Sequence, residues 1–66
     1  MLFRSAREEF TRGIAARPDW YGLHNGLGWT YLKLGDRRKA EASFQRALQL
    51  KSDFADAREG MAQARR

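Results

Sequence analysis

Few side chains in this sequence are of a type that performs chemistry. His24 is the single imidazole and there is no cysteine, so a zinc-type centre lacks the cluster of nitrogen and sulfur ligands it needs. Ser5, Ser43 and Ser52 carry hydroxyls, but none has a base beside it in a recognisable nucleophile arrangement. Gly22, Gly26 and Gly28 form a glycine-rich stretch. A phosphate-cradling loop follows a strand, whereas these three lie within a helical pattern. The sequence therefore argues against an enzyme, and neither a cofactor nor a metal is expected.

Charge is the next candidate. Lys and Arg number 13 against 8 Asp and Glu, a net charge of +5, which favours nucleic acid, anionic lipid or an acidic protein as a partner without choosing among them. Arg4, Arg7, Arg12, Lys33, Arg37, Arg38, Lys39 and Arg46 are the components of a possible basic surface, yet Glu8, Glu9, Asp36 and Glu41 interrupt it. Nucleic-acid modules combine such a stripe with stacking aromatics or a groove-reading element, and no such motif is present. The pattern reads instead as a solvated helix face with pairs four residues apart, such as Arg37 with Glu41. No apolar run approaches the roughly 20 residues of a membrane span. Met1-Leu2-Phe3-Arg4 does not read as a signal peptide, and the lack of cysteine leaves the compartment open.

The elements that must carry these residues follow from an internal repeat. A shift of 34 residues superimposes Ala6, Phe10, Gly13 and Ile14 on Ala40, Phe44, Ala47 and Leu48, and Arg4, Arg12 and Arg17 on Arg38, Arg46 and Lys51. It also carries Pro18-Asp19-Trp20 onto Ser52-Asp53-Phe54 and Gly26-Leu27 onto Gly60-Met61. The apolar spacing i, i+4, i+7, i+8 is helical. Four helices are predicted, at about 3–16, 20–33, 37–50 and 54–65. Pro18 disfavours helix at Arg17, Gly35 suits a helix end needing positive φ, and Asp36 and Asp53 are placed to cap the helices that follow. Loops of two to four residues make neighbouring helices antiparallel, so the fold class is all-α, built from stacked helical hairpins.

With these residues in view, the stretch from Tyr21 to Phe54 resembles one complete tetratricopeptide repeat, whose pattern is W-x2-L-G-x2-Y, A-x3-F and P at a period of 34. Leu27-Gly28-x2-Tyr31, Gly35, Ala40-x3-Phe44 and Ala47-Leu48 carry the resemblance. Residues 1–20 resemble the second helix of a preceding repeat, and residues 55–66 the first helix of a following one. His24 and Arg58 stand where the pattern has Trp, Ser52 replaces the second Pro, and Gly13 replaces Ala at a cost of about 1 kcal/mol in helix propensity. His24 is expected to pack between helices as the family Trp would. Small Gly28 and Ala40 should let two helices approach, with Leu27, Tyr31 and Phe44 filling the space between them.

The resemblance implies a right-handed α-solenoid segment that serves as a non-catalytic scaffold, holding a partner protein or peptide in a concave groove lined by the first helix of each repeat. On this sequence the implied groove positions are Gly22, Asn25, Gly26, Trp29 and Lys33, continued by Asp56, Glu59, Gly60 and Gln63. A groove-facing Trp29 is the kind of aromatic anchor enriched in binding hot spots. Some repeats of the family grip carboxylates. Here Gly26 occupies a position where that clamp has Asn, while Asp56 and Glu59 add negative charge, so a peptide with basic and apolar groups fits better. A basic module for RNA or anionic surfaces is the alternative, and a self-associating structural segment a further one. Leu2, Phe3, Phe10, Ile14 and Met61 lack their full set of neighbouring helices, which predicts a homo-oligomer through exposed apolar faces.

Overall fold

The computed structural model describes Leu2–Arg66, with side chains described from Arg4 onward. Four helices follow one another: α1 (Leu2–Ala16), α2 (Tyr21–Leu34), α3 (Arg37–Leu50) and α4 (Ala55–Ala64). Among the described residues there is no strand, and no helix is long and apolar enough to cross a membrane.

Each helix end has a local cause. The Arg17 amide closes α1 on the Gly13 carbonyl at 2.8 Å before Pro18 interrupts the chain. Gly35, at φ 85°, ends α2 in the left-handed region, its amide donating to Leu32 and that of Asp36 to Tyr31. A side chain with Cβ is strained at that angle, so glycine is the fitting residue. Asp36 caps α3, its Oδ1 accepting from the Lys39 amide at 3.1 Å. Asp53 does not cap α4. The helix begins one residue later, with Phe54 as its N-cap and no side-chain bond there, and the Asp53 carboxylate pairs with Lys51 Nζ at 3.4 Å.

Contacts across the helices define the stack. Phe10 meets Gly26 and Leu23 meets Gly13, so α1 and α2 run antiparallel. Phe44 of α3 meets both Gly28 of α2 and Gly60 of α4, and α3 is antiparallel to each. It follows that α2 and α4 point the same way, and they touch directly.

Phe44 is the centre of the core. It is fully buried, with Ala40, Ala47 and Ala57 at 0% exposure around it. A Cβ built on Gly28 would come within 2.7 Å of its ring, and one on Gly60 within 2.3 Å. The two glycines therefore let three helices close on one phenyl ring, whose burial is worth about 1.5–3 kcal/mol. Trp29 packs edge-on against the same ring at 5.3 Å. Leu27, at 8% exposure, is buried as expected.

Several sequence expectations change here. Met61 is not left bare but 7% exposed, within the core cluster, because the close approach at Gly60 draws α4 onto α3. Phe10 is half-buried over Gly26. The side chains of Leu2 and Phe3 lie outside the described residues. Arg37 and Glu41 do not pair with each other. Arg37 donates to the main-chain oxygen of Arg66 and Glu41 pairs with Arg65 at 3.7 Å, so both tie α3 to the end of α4.

The two kinds of glycine should respond oppositely to alanine. Gly60→Ala drives a methyl into an immovable ring, and overpacking of about 1–3 kcal/mol outweighs a helix-propensity gain of up to about 1 kcal/mol. At Gly13 the new methyl meets only the Leu23 side-chain end at 3.1 Å, which can turn aside. Urea denaturation should show Gly60→Ala less stable than the parent and Gly13→Ala equal or more stable; a Gly60→Ala midpoint at or above the parent's contradicts this packing.

Candidate functional site

The face shared by α2 and α4 is open to solvent and carries the densest set of polar contacts between helices. Asn25, Trp29 and Lys33 recur every four residues along α2, and Asp56, Glu59 and Gln63 recur at three and four along α4, so each set occupies one side of its helix. Asp56 joins the two helices. Its Oδ2 accepts from Asn25 Nδ2 at 2.7 Å and from Trp29 Nε1 at 2.9 Å. Asp56 also lies in the first turn of α4, where negative charge complements the helix dipole. The Asn25 orientation is fixed by its role as donor, which leaves its Oδ1 buried without a partner.

Farther along the same face lies a cleft of about 210 Å³ lined by Trp29, Leu32, Lys33, Arg37 and Gln63. Trp29 thus has three roles. One edge packs on Phe44, its Nε1–H holds Asp56, and the half-buried remainder forms a wall of the cleft. Lys33 is exposed and lies in the last turn of α2, while Arg37 begins α3 across the Gly35-Asp36 turn.

Of the residues expected in the groove, the structure brings together Asn25, Trp29 and Asp56 by hydrogen bonds, and Trp29, Lys33 and Gln63 around the cleft. Glu59 is exposed between Asp56 and Gln63. The glycines do not join them. Gly26 faces the Phe10 ring of α1, Gly60 is buried against Phe44, and Gly22 lies beside the Trp20 indole at the start of its own helix. The small size of Gly26 and Gly60 serves the approach of neighbouring helices, which turns these two toward packed rings and not toward the cleft. Leu32 and Arg37 were missed. Arg37 stands four residues beyond Lys33 across a tight reversal, and that spacing was the available signal.

The residues first weighed for chemistry have structural roles here. His24 is buried, and its Nε2–H donates to the Pro18 carbonyl at 2.8 Å, which ties α2 to the loop after α1. Among the described residues no group of three His, Cys, Asp or Glu is arranged to hold a metal.

With the helix stack and its small-residue contacts in place, comparison with known proteins decides the family. The tetratricopeptide repeat model matches residues 22–54. The chain belongs to the tetratricopeptide repeat family. Over 64 residues it is 33% identical to heat shock protein STI1 of Saccharomyces cerevisiae, a match that covers 97% of this chain and 11% of that protein. The chain thus spans about a tenth of the length of the curated relative it matches. No solved structure matches it significantly. Family and fold together make this tetratricopeptide segment a protein-interaction module.

The Asp56 bridge has a measurable consequence. Asp56→Ala removes the acceptor of two donors in one step, and stability should fall by about 1 kcal/mol. Amide hydrogen exchange should quicken in α4 more than in α2 or α3. Uniform exchange across all the helices would mean that the bridge does not hold α4.

Proposed function

We propose that the α2–α4 face is a groove that binds an extended segment of a partner protein, with Trp29 as its central anchor. On this reading α1 is the second helix of a preceding repeat and α4 the first helix of a following one, so that α2 and α4 are successive first helices. The single observation that supports it most is the open cleft beside Trp29, where an aromatic wall and Leu32 stand next to Lys33, Arg37 and Gln63. Apolar surface with a few convergent polar groups is the usual composition of a binding site. An exposed Trp edge supplies contact area at low cost in side-chain entropy.

The basic-surface alternative is weakened by the pairing of its cations. Of the cations named for it, Lys39 lies 4.0 Å from the Asp36 carboxylate, Arg37 donates to the Arg66 main-chain oxygen and Arg46 to Gln49 Oε1 at 3.1 Å. Lys39 and Lys51 also stand over the rings of Tyr31 and Tyr21, at 5.7 and 5.4 Å. What remains is an interrupted pattern, not a stripe.

Peptides selected from a displayed random library on the parent chain provide the test. Trp29→Ala should weaken their binding at least about tenfold, as expected of a hot-spot aromatic, while Arg58→Ala, which alters an exposed side chain off that face, should leave it unchanged. Circular dichroism controls for loss of helix. Equal affinity for parent and Trp29→Ala protein would overturn the groove reading.

A further inference from the structure

The charges on this face are sorted along its length. Asp56 and Glu59 occupy the first half of α4, beside Asn25 of α2. Lys33 and Arg37 occupy the other end, beside Gln63. Because α2 and α4 point the same way, the groove is acidic where both helices begin and basic where both end.

Helix dipoles explain part of this order. Asp56 in the first turn of α4 and Lys33 in the last turn of α2 each suit their helix end. They do not explain Arg37. It opens α3, where the dipole disfavours a cation, and it is held there by the Arg66 main-chain oxygen. Its guanidinium lines the cleft together with Lys33, so two cationic side chains stand at that end, one of them also donating to Arg66. At the other end Asp56 uses only Oδ2 for its two internal bonds, and the residue is exposed, so its carboxylate keeps acceptor capacity beyond them.

Resting on the groove reading above, we propose that the occupant is a dipolar extended peptide: a basic residue over Asp56 and Glu59, an apolar residue against Trp29, and an acidic residue at Lys33 and Arg37. Spacing follows from geometry. Asn25 and Lys33 are two turns apart, about 12 Å at 1.5 Å per residue, and an extended chain at about 3.3 Å per residue covers that distance in roughly four residues. In an extended peptide residues i, i+2 and i+4 share one face. The motif is therefore a Lys or Arg, any residue, an apolar residue, any residue, then an Asp or Glu, or the same order reversed in the opposite chain direction. Uniformly acidic and uniformly basic peptides each place one like charge against the groove. The apolar residue supplies most of the affinity and the charges supply selectivity.

Three capped peptides of one length separate the possibilities, with Lys-Ser-Leu-Ser-Glu, Glu-Ser-Leu-Ser-Glu and Lys-Ser-Leu-Ser-Lys at their centres. Titration is followed by amide chemical shifts of the 66-residue chain. The dipolar peptide should bind about fivefold tighter than either uniform one at low salt, the effect of about 1 kcal/mol for one exposed pair made or opposed, and the gap should narrow as salt rises. A spin label at its basic end should broaden amides around Asn25 and Asp56, and one at its acidic end those around Lys33 and Arg37. Lys33→Glu should raise affinity for the Lys-Ser-Leu-Ser-Lys peptide. Equal affinity of all three peptides, with shifts still confined to the α2–α4 face, overturns the charge order and leaves the groove standing. Shifts confined to another face overturn the groove reading itself.

Discussion

Three of the four helices are arranged around one phenyl ring. Phe44 projects from α3 between Gly28 and Gly60, and it is the largest side chain that is completely buried. A ring of that size fills the space between three helices only if two of them present no side chain toward it. The alanines at 40, 47 and 57, all at 0% exposure, complete the surroundings. Close packing of this kind leaves little freedom to shift, since a displaced ring loses its contacts on several sides at once.

The position of α4 follows from that constraint, and the groove follows from α4. With Gly60 closed onto Phe44, the first turn of α4 comes within hydrogen-bond reach of α2, and Asp56 accepts from both Asn25 and Trp29. Trp29 is then locked between the core ring and the carboxylate, presenting a fixed edge to the cleft. A side chain immobilised before binding loses less entropy when a partner arrives. The same contact thus links core packing to the wall of the cleft through three residues.

Much of the fold was legible because the repeat writes it twice. The 34-residue shift, the helical spacing around Phe10 and Phe44, and the Gly35-Asp36 turn anticipated the helices to within a residue at most ends. Asp53 misled because a capping residue type says where a cap is possible, and the helix began one residue later. The make-up of the α2–α4 face was half legible. Asn25, Trp29, Lys33, Asp56 and Gln63 could be placed by register, but Gly22, Gly26 and Gly60 look the same in sequence whether they face a ligand or a neighbouring helix. Only the position of the opposing ring, Phe10 for Gly26 and Phe44 for Gly60, distinguishes the two. Arg37 was signalled only by its spacing from Lys33, because its partner is a main-chain oxygen just beyond α4, which leaves no mark in residue type.

The central claim is that Phe44 holds α2 and α4 together at one time. A nuclear Overhauser spectrum of the 66-residue chain tests it most directly. Phe44 ring protons should show strong cross-peaks to the α-protons of both Gly28 and Gly60, with the Trp29 indole proton close to the Asp56 side chain. Cross-peaks to Gly28 without any to Gly60 would show that α4 is not seated on the ring, and the account of the groove would not stand.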